Sequence, residues 1–147
     1  MRYSRVLSLF AFLLFSLAPC FAHHMAVVVN KDNNTAEITS ARLAKLFRLE
    51  TKTWPDGRDV VIVLHKDLAE EALTLERLNK ISGNELKSFM SSHKDSLTFV
   101  DSDADVLRFV EKTPGAVGLV EVRSIDDQVN VLKVDGKLPM ETGYLPH

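Results

Sequence analysis

Three consecutive polar residues, His65, Lys66 and Asp67, follow an apolar run and precede a segment with helical spacing. An imidazole and an ammonium group can donate hydrogen bonds to an anion, and a carboxylate can cap a helix. In open α/β sheets, ligands collect where the carboxyl ends of strands meet the amino ends of helices. The sequence therefore places the first candidate binding site at this junction.

The elements that position the junction can be predicted from local patterns. Residues 60–64 are continuous and β-branched, which is typical of a strand buried on both faces. A helix follows from about Leu68 to Ile81, with Gly83 as its predicted C-cap, and Asn84 is predicted to cap the next helix. Further apolar runs and amphipathic segments alternate along the chain: strands near 25–29, 97–100, 116–122 and 129–134, and helices that begin at Thr39 or Ser40 and at Asp101 or Ser102. This alternation predicts one α/β domain, a three-layer sandwich with a largely parallel sheet.

The first 22 residues have the pattern of a secretory signal peptide. Arg2 and Arg5 precede an apolar core over residues 6–17, and Cys20 and Ala22 offer small side chains for cleavage. The mature chain is then 23–147, located in the periplasm or secreted. An alternative is a lipoprotein signal with Cys20 lipidated. Because Cys20 is the only cysteine, an intrachain disulfide is excluded.

Composition excludes several classes of function. The formal net charge of −2 gives no basic footprint for nucleic acid, and nothing beyond residue 22 is long and apolar enough to span a bilayer. The sequence has no nucleophile elbow, no His-Glu-x-x-His and no P-loop glycine pattern. We therefore predict a protein that is not an enzyme and that needs no cofactor.

Four stretches, taken in order, resemble the second lobe of periplasmic phosphate-binding proteins. They are 27–33 (VVVNKDN), then Leu43 with Leu46, Phe47, Trp54 and Gly57, then 113–118 (TPGAVG), and finally 131–136 (VLKVDG) with Pro139. The resemblance implies a type II periplasmic-binding-protein lobe from a family in which two lobes close around an oxyanion for an ABC importer. At 147 residues, the chain has room for only one lobe.

The ligand loop departs from that family. The resemblance implies an arginine, an acidic residue and a serine-glycine-serine or -threonine cradle after the central strand. Here Lys66 stands at the arginine position, Asp67 at the acidic one, and 68–72 (LAEEA) replaces the cradle. Glu70 and Glu71 would repel a dianion in the first helical turn, so we predict a degenerate anion site. Its candidate ligand-binding residues are Asn30, His65, Lys66, Asp67, Thr113 and Gly115.

Several of these residues also have a purely structural interpretation. Lys66 can be a solvated side chain, Asp67 a helix N-cap, and Trp54 a packing residue over a sheet edge. Gly115 can serve the turn in which it lies. Gly118 can permit a close approach of neighbouring side chains.

Three functional hypotheses follow. The first is a non-catalytic solute-binding-like protein that serves a transporter or sensor and binds at most a small anion. The second is a protein-interaction or dimerisation module that uses the half-cleft as a docking surface. The third is copper or zinc binding at the mature amino terminus by His23 and His24, since neutral imidazole is a good ligand for both metals.

Overall fold

The computed structural model describes residues 24–146. The predicted signal peptide, Cys20 and His23 lie outside the described residues. The strands are β1 (Met25–Asn30), β2 (Glu37–Ile38), β3 (Val61–His65), β4 (Leu97–Val100), β5 (Ala116–Glu121), β6 (Val129–Val131) and β7 (Lys133–Val134). The helices are α1 (Ser40–Phe47), α2 (Ala69–Asn79), α3 (Gly83–Ser92) and α4 (Asp103–Lys112), with short 3₁₀ turns at Lys94–Ser96 and Val122–Ser124.

The central sheet has five strands in the order β4-β3-β5-β1-β6. Strand β3 pairs in parallel with both β4 and β5, whereas β1 is antiparallel to β5 and to β6. Four strands therefore point the same way, which confirms the largely parallel sheet, and only β1 is reversed. Because of this reversal, β1 begins at the edge where β5 ends, and Met25 lies opposite Glu121. We call this edge, where β3, β4 and β5 end, the carboxyl edge.

Alternating strand residues supply two cores, as the three-layer prediction requires. On β3, Ile62 and Leu64 pack with buried residues of α1, α2 and α3, whereas Val63 faces Val106 and Val110 of α4. Gly118 of β5 lies between these side chains, and a Cβ atom there would come within 2.7 Å of Val106 Cγ1 and 2.9 Å of Val63 Cγ1. Gly118 thus permits the close approach that was expected of it.

The helix boundaries correct part of the sequence prediction. Thr39 and Ser102 cap α1 and α4 through their side chains, as predicted. Gly83 does not end α2, because Lys80 takes the left-handed conformation at its C-cap. Ser82, not Asn84, caps α3, in a capping box with Glu85. Ser82 and Glu85 have the spacing of that motif, which is a more specific signal than a single asparagine.

The carboxyl-terminal part of the chain bends away from the central sheet. The predicted strand over 129–134 divides at Leu132, and β7 pairs in parallel with β2 in a separate two-stranded sheet. The following tail has no regular structure, but Tyr144 is buried in the core. Its hydroxyl accepts from Val27 N–H (3.1 Å) and donates to Leu132 C=O (2.6 Å). The hydroxyl thus connects β1 to the residue that follows β6. Within residues 24–146 no helix is long and apolar enough to cross a bilayer.

Candidate functional site

The six predicted ligand-binding residues lie at two opposite edges of the sheet. His65 forms the last residue pair of β3, with Val100, at the carboxyl edge, and Lys66 and Asp67 follow it. Thr113 and Gly115 precede Ala116, which pairs with Val61 at the start of β3, and Asn30 ends the antiparallel β1 beside them. Four strand residues at ~3.3 Å each separate the two edges by about 13 Å. The structure therefore does not bring the predicted set together as one site.

The side chain of Asn30 makes structural hydrogen bonds within the protein. Its Nδ2 donates to the carbonyls of Val110 (2.8 Å) and Glu111 (3.0 Å), and its Oδ1 accepts from Asp32 N–H (2.9 Å). The last carbonyls of a helix have no partner within the helix, and here a side chain supplies one. Asn30 thus holds the carboxyl end of α4 against β1.

Gly115 and Thr113 are also engaged in backbone contacts. The Gly115 carbonyl accepts from the indole Nε1 of Trp54 (2.8 Å) and from Val61 N–H (3.0 Å), and the Thr113 carbonyl accepts from Ala116 N–H. Trp54 is buried, in accordance with its interpretation as a packing residue.

At the carboxyl edge, His65 is buried between two carboxylates. Its Nδ1 lies 2.7 Å from Glu71 Oε2 and its Nε2 lies 2.8 Å from Asp103 Oδ1. Because both acceptors are carboxylates, both ring nitrogens donate when the imidazole is protonated. The sequence interpretation of His65 as an anion contact missed this arrangement, in which both donors of the ring are satisfied inside the protein.

Each carboxylate also accepts a backbone N–H from a strand end. Glu71, 3% exposed in the first turn of α2, accepts from His65 N–H at 2.9 Å. Asp103, the first residue of α4, accepts from Glu121 N–H (3.1 Å) and from the Ser124 hydroxyl (2.6 Å). The side chains of His65, Glu71 and Asp103 form a cluster, which we call the His65 cluster. It joins the end of β3, the starts of α2 and α4, and the end of β5.

The ionisation states follow from these contacts. Burial alone would lower the pKa of His65, but the hydrogen bonds and charges of Asp103 and Glu71 outweigh it and raise the pKa to about 9. Burial raises the pKa of the Glu71 carboxyl, because the contacts with His65 offset desolvation only in part. Burial also opposes ionisation of Asp103, yet hydrogen bonds from His65, Ser124 and Glu121 lower its pKa. At neutral pH the cluster is therefore an imidazolium ion held between carboxyl groups.

This raised pKa predicts a loss of stability in alkali. A histidine with a pKa of 6.5 in the unfolded chain and about 9 in the folded protein stabilises the fold fully below pH 6.5. Its contribution is lost as pH rises through 9. We expect a loss on the order of 2 kcal/mol, less than the full shift implies, because the Asp103 side chain is 19% exposed and water screens it.

Urea denaturation of the protein and of His65→Gln at pH 6, 7.5, 9 and 10 would measure this loss. The difference in free energy of unfolding between the two proteins should be largest at pH 6, shrink as pH rises from 6.5 to about 9, and be nearly gone at pH 10. An imidazole that titrates near pH 6.5 by NMR would contradict the assignment.

Lys66 and Asp67 do not join the cluster. Lys66 Nζ is 3.2 Å from Asp101 Oδ1, and both side chains are mostly exposed, as the solvated interpretation requires. The prediction that Asp67 caps α2 is wrong, because the N-cap residue is Leu68 and no side chain there accepts a hydrogen bond. The carboxylates of Glu70 and Glu71 in the first turn supply the negative charge that favours this helix start.

The surface beside the His65 cluster is polar and mainly acidic. A cavity of about 230 Å³ opens there, lined by His65, Leu68, Asp67, Asp101, Ser102, Asp103, Glu121, Arg123 and Ser124. Arg123 forms an ion pair with Glu121, so its positive charge is partly compensated within the cavity lining. Among residues 24–146, no group of three His, Cys, Asp or Glu side chains is arranged to hold a metal ion. The amino-terminal metal hypothesis remains a prediction, because His23 is not described.

The fold matches solved phosphate receptors over most of this chain. One is an ABC-type phosphate transport receptor from Vibrio cholerae, with a TM-score of 0.64 and 16% identity over 79% of this chain and 48% of the receptor. Another is a putative phosphate ABC transporter substrate-binding protein with bound phosphate from Clostridium perfringens, with a TM-score of 0.65 and 19% identity over 79% and 46%. The fold therefore resembles one lobe of a periplasmic binding protein.

A phosphate-binding protein from Stenotrophomonas maltophilia shows the same relation, with a TM-score of 0.62 and 14% identity over 80% of this chain and 40% of that protein. The chain thus spans less than half the length of the proteins it resembles. No protein-family model matches the sequence. The resemblance inferred from four short motifs is therefore confirmed at the level of the fold.

The residues that the sequence analysis missed have a recognisable signal in retrospect. Asp103 begins the helix that follows β4, and Glu71 lies in the first turn of the helix that follows β3. Parallel neighbouring strands bring their following helices to the same edge. An acidic residue at each helix start, beside a histidine at a strand end, is the pattern that could have indicated this cluster.

Proposed function

We propose that the protein is a non-catalytic, solute-binding-like protein of the periplasm that does not bind phosphate tightly by its single lobe. In this proposal the mature chain begins at His23 and serves a transporter or sensor. It retains an anion site that is internally closed, which means that side chains of the protein itself occupy its hydrogen-bond donors. The proposal rests on one observation: the Glu71 carboxylate already accepts the His65 N–H and the His65 ring donor at the amino end of α2.

Charge supports the same conclusion. The amino ends of α2 and α4 would each favour an anion, and the first turn of each already carries two acidic side chains of the protein itself. An incoming phosphate would have to displace Glu71 or Asp103 and would meet Asp67, Asp101 and Glu121 at the rim. Leu68 is the one apolar residue in the lining of this cavity, which favours the proposal over the docking hypothesis.

Calorimetric titration of the mature protein with phosphate at low ionic strength tests this proposal. We expect no saturable heat up to millimolar phosphate, because the donors are occupied and the rim is acidic. Micromolar affinity would contradict it. The amino terminus at His23 should first be verified by mass spectrometry.

Glu71→Ser sharpens the test, since it removes the internal carboxylate and leaves the His65 donors and the helix start. We expect formate or phosphate to raise the melting temperature of this variant and not that of the unaltered protein. Glu70→Ser is the matched control, because Glu70 lies in the same turn and is half-buried outside the His65 cluster. Equal responses of the two variants to the anion would argue against an internally closed anion site.

A further inference from the structure

A second cavity lies inside the helical layer, away from the His65 cluster. It has a volume of about 170 Å³ and is bounded by β3 and by α1, α2 and α3. Its apolar walls are formed by Phe47, Leu64, Leu75, Leu86, Phe89 and Met90. An apolar cavity of ~150 Å³ is sufficient to bind benzene. This cavity can therefore hold a molecule of the size of a single aromatic ring.

One polar side chain in the cavity wall has an unused hydrogen-bonding atom. Asn79, at the end of α2, is 9% exposed, and its Nδ2 donates to Leu75 C=O at 2.9 Å. Its Oδ1 is buried and has no hydrogen-bond partner within residues 24–146. A buried acceptor without a partner destabilises a fold, so its presence on a residue that lines a cavity is an observation that needs a cause.

The charged residues at the cavity have partners elsewhere. Arg48 Nε donates to Glu50 Oε1 at 3.0 Å, and Glu85 Oε2 accepts from Ser82 N–H at 2.8 Å in the capping box of α3. An ionic ligand would have to break one of these contacts and enter an apolar space, which opposes its binding. The neutral Asn79 acceptor is thus the polar group that remains to orient a ligand.

We propose that this cavity binds a small, neutral, largely apolar molecule with one O–H or N–H donor, which satisfies Asn79 Oδ1. Phenol is the simplest probe of this chemistry, because its ring matches the volume and its hydroxyl supplies the donor. This cavity is separate from the cavity beside the His65 cluster, since the two share no lining residue. The inference therefore does not depend on whether phosphate binds.

NMR titration of the isotopically labelled mature protein with phenol and with benzene tests the proposal. We expect saturable shifts of the amide signals around Leu75, Leu86 and Phe89. Phenol should bind about threefold to tenfold more tightly than benzene, the ratio that corresponds to one neutral hydrogen bond. In Asn79→Leu the advantage of phenol over benzene should be lost, because the phenol hydroxyl would enter the cavity without an acceptor.

Leu73→Ala is the matched control, because Leu73 lies on the same helix and is largely exposed. It should leave both affinities and their ratio unchanged. Preserved dispersion of the amide spectrum shows that each variant is folded. The proposal is overturned if neither probe saturates at millimolar concentration, if the shifts lie outside the cavity, or if phenol and benzene bind equally to the unaltered protein.

Discussion

His65→Leu is expected to lower the free energy of unfolding by about 3–5 kcal/mol at pH 7, the cost of removing one partner from a buried ion pair. Leucine has a similar size, so the expected loss is electrostatic rather than a cavity effect. Without the imidazolium, the carboxyl group of Glu71 remains at 3% exposure with only a backbone donor. Urea denaturation followed by circular dichroism would measure the change.

Two further variants distinguish this explanation from a general sensitivity of the site. Lys66→Ala removes the neighbouring, exposed ion pair with Asp101 and should change stability by no more than about 0.5 kcal/mol. The double variant His65→Leu/Glu71→Leu removes the buried carboxylate together with its partner and should be more stable than His65→Leu alone. If the double variant is the less stable of the two, an uncompensated Glu71 charge is not the cause.

Gly115→Ala should be the other strongly destabilising substitution, with an expected loss of about 2–6 kcal/mol. Gly115 has φ of +82°, and a Cβ atom at this position would come within 2.1 Å of the carbonyl oxygen of Asp59. Backbone strain of ~1–3 kcal/mol adds to overpacking of ~1–3 kcal/mol. The displacement would also disturb the hydrogen bonds from Trp54 and Val61 to the Gly115 carbonyl.

Gly57→Ala provides the control for Gly115→Ala. Gly57 has a similar φ of +88°, but a Cβ atom there would meet nothing within 4 Å. It should therefore cost only the conformational penalty of roughly 1–2 kcal/mol. Thermal or urea unfolding of both variants would separate the two effects, and equal losses would show that the contact with Asp59 is relieved by a small shift of the chain.

The His65 cluster connects two helices at the carboxyl edge. Helices α2 and α4 pack on opposite faces of the sheet, and His65 links their first turns through two short hydrogen bonds. In a protein that binds its solute at helix starts, the solute supplies this connection. Here side chains of the protein itself make this connection.

Much of the fold could be predicted from local patterns. The apolar run over residues 60–64 and the alternating segments that follow identified the strands and helices within one or two residues, because burial on one or both faces produces a characteristic period. The caps of α1 and α4 were narrowed to two adjacent residues each, Thr39 or Ser40 and Asp101 or Ser102, for the same reason: capping chemistry acts within three residues. The short strands β2 and β7 have two residues each, which is too few to produce a period.

The sequence by itself predicted the order of the longer strands and helices, the α/β fold and the resemblance to a phosphate-binding lobe, because each depends on residues close together in the chain. Only the tertiary structure decided that Asn30 and Gly115 lie at the edge opposite His65, since strand direction leaves no mark in an apolar run. It also decided that Glu71 and Asp103 meet at His65. Those contacts depend on how two helix starts approach one strand end across 38 residues of chain, and the acidic residues at the helix starts indicate them only once the parallel pairing of β3 and β4 is known.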